Sequence, residues 1–272
     1  MSDPVSEPGL TRISSRDNAW LKQLRRLAHE SGASRRLGQA WLEGDHLCRA
    51  LRARGIQAEA VVFSESCWDR ERASDWSDAA ARLVIVPDAL FQGLSALESP
   101  AAMGCVIALP SAPQLQPGAA TVVLDRLQDA GNVGAILRCA AAFGFGQVIA
   151  LKGTAGLWSP KVLRAGMGAH FGLRLIEGAD ASALDDLRVP LLATSSHQGE
   201  LLHRSALPWP CAWAFGHEGQ GVGAALAARA GGHMRIVQPG GEESLNVATA
   251  AAICLHASAA ALESRQGGSV PA

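Results

Sequence analysis

Apolar positions along this chain follow two rhythms. In NAWLKQLRRLAHE (18–30), Trp20, Leu21, Leu24, Leu27 and Ala28 share one helical face, and Lys22, Arg25 and Arg26 fall mostly on the other. Elsewhere, short apolar runs alternate with helical stretches. The first half predicts strands at 40–43, 58–64, 82–86 and 104–109, with helices at 45–54, 75–82 and 88–97. The second half predicts strands at 121–125, 147–151, 170–176, 190–194, 211–215 and 233–237. Its helices are expected at 133–143, 161–166, 181–187, 222–229 and 244–262. This alternation implies an α/β protein: a small α/β layer domain, then a mostly parallel sheet covered on both faces. Between them, PSAPQLQPGAA (110–120) has three prolines and no charge, and reads as a linker. The expected organisation is a disordered tail at 1–11, domains at 12–109 and 121–264, and a second tail at 265–272.

Composition narrows the class. Of 272 residues, 48% are hydrophobic and 18% charged, enough apolar surface for a sizeable core. Six scattered cysteines form no CxxC pair, so a zinc site built on such pairs is not expected. Reduced thiols in a cytoplasmic protein fit better, Cys67 alone lying outside apolar or helical contexts. The N-terminus lacks a basic-then-apolar signal pattern. The apolar stretch 245–262 contains Asn246, Thr249, His256 and Ser258, and reads as a buried helix rather than a membrane span. Net charge is −1, but residues 1–54 carry ten Arg or Lys against six Asp or Glu. A basic head on a mildly acidic body suits a polyanion, or simply a solvated helix face.

Three segments could carry chemistry, each following a predicted strand at its C-terminal end, where α/β proteins place ligands. In LDRLQDAGNVGAILRCAAAFGFG (124–146), Asn132 precedes Arg138 by six residues; taken alone, these are a helix cap and a surface cation. AFGHEGQGVG (214–223) surrounds His217 and Glu218 with glycines, which allow close backbone approach. It also matches a relaxed dinucleotide fingerprint at Gly219, Gly221 and Ala224. In RIVQPGGEESLNVATAAAICLHAS (235–258), Ser244 reads as an N-cap supported by Glu242 and Glu243. Asn246, a poor helix former one turn into an apolar helix, is expected to be paired. No nucleophile–base arrangement is readable, and His170 is a weaker candidate than His217.

Together these segments resemble the three motifs of the SpoU family of RNA ribose 2′-O-methyltransferases, in the SPOUT class. NVGAILRCAAAFG resembles N-x-G-A-I-x-R-[ST]-A-x-x-F-G, and FGHEGQG resembles F-G-x-E-G-x-G. IVQPGGEESLNVATAAAI resembles I-x-[MP]-x-G-x-x-x-S-L-N-V-[SA]-x-A-x-[AG]-I. SPKVLRAGMGAHFGLRL (159–175) adds support, although Gly166 replaces the usual Ser. The resemblance implies a SPOUT domain with a deep trefoil knot, a rare exception to unknotted topology. It implies an N-terminal RNA-binding domain like a ribosomal protein, a homodimer burying the last helix, and no metal. S-adenosylmethionine would be the cofactor, with Thr194, Gly216, Ile236 and Leu245 lining its pocket and Ser244 and Asn246 near it. Asn132, Arg138, Glu218, Ser244 and Asn246 would form the catalytic set. The family assigns activation of the 2′-OH to Arg138. A guanidinium stays protonated to about pH 12, so phosphate binding and stabilisation of the developing alkoxide are the less demanding roles. The basic head would contact phosphates through Arg12, Arg16, Lys22, Arg25, Arg26, Arg35 and Arg36.

Ribosomal RNA is the expected substrate, with transfer RNA as the alternative. A non-catalytic RNA-binding protein predicts a disabled motif, and an NAD-dependent oxidoreductase leaves the first and third segments unexplained.

Overall fold

A computed structural model describes residues 9–71, 76, 78–95, 99–111, 113–195, 198–241 and 244–267. The chain forms two compact units, Met1–Ser111 with Trp158–Phe171, and Ala112–Leu157 with Gly172–Ala272.

The first unit holds a mixed sheet in the order β1 (Leu10–Arg12), β4 (Leu83–Val86), β3 (Ala60–Ser64), β5 (Met103–Ala108), β2 (Gln39–Glu43). β1, β4 and β3 are parallel, whereas β5 runs antiparallel to both β3 and β2. The expected tail therefore ends earlier, because Leu10, Thr11 and Arg12 pair with Leu83, Val84 and Ile85. Helix α1 (Ala19–His29) buries Leu21, Leu24, Leu27 and Ala28, and leaves Trp20 partly covered. Asn18 caps it, its Oδ1 accepting from the N–H groups of Trp20 and Leu21. Helices α2 (Ala33–Leu37), α3 (Asp45–Ala53), α4 (Glu65–Glu71) and α5 (Asp88–Gln92) follow. No helix forms over the described residues of 75–82. Ala80 instead bridges Ala58 beside the sheet, and the helix of this region is α4, which buries Cys67. At Gly104 a Cβ would lie 2.3 Å from the Trp41 ring, so this glycine lets the indole lie flat across β5.

Trp158–Phe171 groups with the first unit rather than with the second half of the sequence. Ser34 Oγ donates to the Trp158 carbonyl (2.7 Å), and α7 (Pro160–Gly166) packs on β2 and α1. Gly166 faces the His170 ring, where a Cβ would approach to 2.4 Å; this explains glycine at that position. His170 is buried against Trp158, in a packing role.

The second unit is a seven-stranded, all-parallel sheet. Its order is β10 (Glu200–Leu201), β12 (Gly232–Arg235), β9 (Leu191–Thr194), β11 (Ala212–Gly216), β6 (Thr121–Asp125), β7 (Gln147–Leu151), β8 (Arg174–Ala179). β6, β7 and β11 are buried throughout, as expected of strands covered on both faces. Val123, Ile149 and Ala214 pack on one face with Leu184 and Leu226. On the other lie α6 (Ala130–Ala142) and α9 (Val247–Gly267), and Trp213 Nε1 donates to Ser258 Oγ of α9 at 2.9 Å. The short α8 (Ala224–Ala227) precedes β12.

The proline-rich segment is not a free tether. Gln116 N–H donates to Gln147 Oε1 (2.8 Å), the Pro117 carbonyl accepts from Arg188 N–H (2.9 Å), and Leu115 joins the core. At the other end, α9 runs to Gly267, past the expected tail boundary. It buries Ala251, Cys254, Leu255 and Ser258, while Ile253 is exposed. Over Val247–Arg265 it is long and apolar enough, by length and composition, to cross a membrane, with 22% of that stretch buried. The expectation of a buried helix thus holds for one face.

Candidate active site

The parallel strands bring the three segments to one edge of the sheet. Asp125 at the end of β6 pairs with Gly216 at the end of β11. Thr194 at the end of β9 pairs with Met234 near the end of β12. The loops leaving β6 and β11 therefore start side by side, although 90 residues separate them in sequence.

Asn132 is the hub. Asp129, not Asn132, caps α6, its Oδ1 accepting from Asn132 N–H (2.7 Å). The Asn132 side chain is left to reach two other segments. Its Nδ2 donates to Glu218 Oε1 (3.3 Å), and its Oδ1 accepts from Asn246 Nδ2 (3.0 Å). Asn246 is the actual N-cap of α9, its Oδ1 accepting from Ala248 and Thr249 N–H at 2.9 and 3.2 Å. This corrects the assignment of the cap to Ser244, which is exposed and makes no hydrogen bond among the described residues. Glu242 and Glu243 lie outside the described residues. The cap also fixes the amide: Oδ1 serves the helix, so Nδ2 must face Asn132, whose own Nδ2 then faces the carboxylate.

The glycine-rich turn is held from inside. Gly221 N–H donates to the His217 carbonyl (2.7 Å), and Gly219 N–H to His217 Nδ1 (3.0 Å). A Cβ on Gly216 would lie 2.1 Å from the Gly221 carbonyl carbon, so only glycine lets the turn fold back this closely. His217 thus supports the turn.

Three residues of this site are not apparent from the motifs: Asp125, Arg126 and Gln220. Buried Asp125 accepts from Gly223 N–H (2.7 Å) and from Arg126 Nε (3.0 Å). Arg126 Nη1 donates to Gln220 Oε1 (3.1 Å), and its pairing with Asp125 raises the guanidinium pKa above its ordinary value. Arg126 has a left-handed backbone (φ 60°), and its N–H is held by Thr154 Oγ1 at 3.1 Å. The end of β6 therefore clamps the loop that carries Glu218. A buried acid ending a strand was the available signal.

Arg138 does not join this cluster. It is exposed on α6 and makes no hydrogen bond or ion pair among the described residues. Beside it, burial raises the Cys139 thiol pKa, with the guanidinium opposing. All six cysteines are free, and burial pushes Cys211 up to about 11 and Cys254 up to about 12.

The expected cofactor residues separate into strand ends and loops. Thr194 Oγ1 donates to the Ala214 carbonyl (3.1 Å), tying β9 to β11 next to Gly216. Ile236 has left β12 and lines a groove of about 490 Å3 with Leu202, Val237, Ala252, Ile253 and His256. Leu245 is exposed and is not part of that groove. In the same loop, buried Gln238 Oε1 has no hydrogen-bond partner among the described residues. Among them, no group of three potential metal-ligating side chains gathers.

The basic residues lie in the first unit. Arg12, Arg16, Lys22, Arg26, Arg35 and Arg36 are exposed, and Arg25 is half-buried. Lys22 pairs with Asp17 (2.9 Å), Arg36 with Glu30, and Arg12 loosely with Glu65 (3.9 Å). Arg25 donates to the Arg16 carbonyl (3.1 Å).

The SpoU rRNA methylase family model matches residues 119–256, half of the chain, with all three motifs inside the match. The chain belongs to the SpoU rRNA methylase family. Among SpoU relatives, the 23S rRNA (guanosine(2553)-2′-O)-methyltransferase RlmP of Bacillus subtilis is 28% identical over 251 residues, covering 91% of this chain and 98% of that one. A crystal structure of an RNA 2′-O ribose methyltransferase is 30% identical, with TM-score 0.74 and coverage of 94% and 99%. An AdoMet-bound rRNA methyltransferase from Sinorhizobium meliloti shares the fold at 23% identity, with TM-score 0.80 and coverage of 92% and 97%.

Proposed function

We propose that this SpoU-family enzyme transfers a methyl group from S-adenosylmethionine to a ribose 2′-OH of ribosomal RNA. The observation that carries the reading is the Glu218–Asn132–Asn246 chain. It joins one polar residue from each motif at the carboxyl edge of a parallel sheet. The rRNA substrate is supported by the name of the Bacillus subtilis relative, and the cofactor by the ligand of the Sinorhizobium meliloti structure.

The residues present fit the cofactor. The ends of β9 and β11, the loop after β12 with its orphaned Gln238 oxygen, and exposed Leu245 offer backbone, polar and apolar contacts. Thr194, Gly216, Ile236, Leu245, Ser244 and Asn246 would hold it. When bound, it supplies an electrophilic methyl and a leaving thioether. The protein positions the ribose. Asn132 and Glu218 would orient the hydroxyl, whose proton leaves to solvent at this exposed edge, and Arg138 would grip the adjacent phosphate and stabilise charge developing on the 2′ oxygen.

We read the chain as a homodimer, with Arg138 completing the partner's site. Its guanidinium makes no contact with the cluster of its own chain, and the exposed face of α9 around Ile253 is apolar. The strand order, with β11 between β6 and β9, is consistent with a trefoil knot. The basic residues of the first unit would hold RNA phosphates, and free thiols agree with a reducing cytoplasm.

The test is incubation with methyl-labelled S-adenosylmethionine and separate, unmodified ribosomal and transfer RNA. Label in ribosomal RNA, recovered as 2′-O-methylnucleoside and lost in Arg138→Ala, is expected. Label in transfer RNA alone would redirect the substrate. Bound cofactor with no transfer to either would reject this reading.

A further inference from the structure

In the first unit, β1, the turn after it and the start of β4 enclose a shallow groove of about 400 Å3. Arg12, Ser14, Ser15, Trp20 and Arg82 line it. The Arg82 guanidinium lies over the Trp20 indole, 4.1 Å from the ring centroid. Arg82 is half-buried, and burial pulls its pKa below the ordinary value. No carboxylate pairs with it among the described residues. The groove therefore contains a planar, partly desolvated cation whose charge is not neutralised locally.

The surroundings suit a phosphodiester. Arg12 is 61% exposed on one wall and only loosely paired with Glu65. Ser14 and Ser15 expose hydroxyls; Ser15 Oγ accepts from Asp17 N–H, which leaves its own proton to donate. The nearby acid, Asp17, is occupied by Lys22. A phosphate site alone would need charge but not an indole-backed plane. Flat guanidinium and aromatic surfaces take up unstacked bases, whereas an RNA duplex offers only backbone and groove edges.

We propose that this groove binds an unpaired nucleotide of the RNA substrate, its base stacked on the Arg82–Trp20 pair and its phosphate held by Arg12 and the Ser14 and Ser15 hydroxyls. The inference rests on the RNA methyltransferase reading, and adds to the basic helix residues a stacking site that distinguishes single-stranded from paired RNA.

The experiment uses the full chain and fluorescence anisotropy. The probes are a mixed-sequence single strand of about 12 nucleotides, the same strand with abasic positions, and its duplex. Arg82→Gln should weaken single-strand binding about tenfold and duplex binding less than about twofold. Arg82→Lys, which keeps the charge but not the plane, should behave like Arg82→Gln on the single strand. The abasic strand should bind all three proteins alike. Circular dichroism and an unchanged urea midpoint verify the fold of the variants. Equal losses on single strand and duplex, full rescue by Arg82→Lys, or unchanged binding in both variants would overturn the groove. Wild-type protein that binds no RNA probe and methylates no RNA would overturn the underlying reading instead.

Discussion

The two units use polar residues in opposite ways. In the second, Asn132, Glu218 and Asn246 come from segments up to 114 residues apart and meet at 3.0–3.3 Å, with Asn246 oriented by its cap bonds and Asn132 anchored through its N–H to Asp129. In the first, most cations of the basic head stand exposed, some paired within a few residues, as with Lys22–Asp17 and Arg36–Glu30. A network assembled across the sequence is costly to arrange and serves geometry. A set of local surface charges is cheap and serves attraction. The hub and the basic face of α1 should therefore respond differently to mutation: the hub through coupled losses in turnover, the helix face through additive losses in affinity.

The largest effect expected is at the hub. Asn132→Ala removes the donor to Glu218 and the acceptor for Asn246 together, and should lower kcat by about 10²–10³-fold. Cofactor affinity, measured by calorimetry, should change little. If kcat is retained, the network is structural and the contrast between the units disappears. Asn246→Asp then separates two roles of one residue. Aspartate caps a helix as well as asparagine, so the urea midpoint should hold. But it cannot donate to Asn132 Oδ1, and if Asn132 flips to face it, an acceptor is turned toward Glu218. About a tenfold fall in kcat at unchanged stability is expected. A loss of stability with normal turnover would show that Asn246 only caps.

These two residues also show how far the sequence was legible. The three motifs located the loops, and short apolar runs with helical periodicity gave β6, β7, β9, β11, α6 and α9 of the second unit, whereas β8 starts four residues later than its pattern predicts. This worked best for β6, β7 and β11, which are buried throughout and read as unbroken apolar runs. Patterning failed where side chains outside the pattern decide the structure. Asn246 looked like a misplaced helix residue because its cap geometry is invisible in composition. Residues 75–82 looked helical, yet Ala80 pairs with Ala58. Trp158–Phe171 follows a methyltransferase motif but packs with the first unit, through Ser34 and the face of β2. The Pro-rich segment reads as a linker because Gln147, which pins it through Gln116, is 31 residues away. The clamp of Asp125 and Arg126 escaped notice because its target, Gly223, contributes a backbone N–H rather than a motif side chain.

A smaller effect should appear at the contact between α9 and the sheet. Ser258→Ala leaves the buried Trp213 Nε1–H without its acceptor, which costs about 1–3 kcal/mol. Denaturant unfolding should show that loss, while kcat at a temperature well below the transition stays near wild type. A large fall in turnover instead would mean that α9 transmits strain to Asn246, and that the network extends further than its three members.

The smallest single effects are expected on the exposed basic face of α1. Arg26 is exposed on α1 and has no carboxylate partner among the described residues. Arg26→Ala should weaken RNA binding a few-fold at low salt and reduce the slope of log affinity against log salt by about 1. Arg25→Ala should do the same, and the double variant should show the sum, since independent phosphate contacts add. Reversing both to Glu should deepen the loss while S-adenosylmethionine binding persists. Single substitutions that remove most of the affinity, or a double variant no worse than either single one, would mean that the helix makes a specific, coupled contact. The face of α1 would then recognise RNA by the same geometric logic as the hub, and the contrast drawn from their hydrogen bonds would fail.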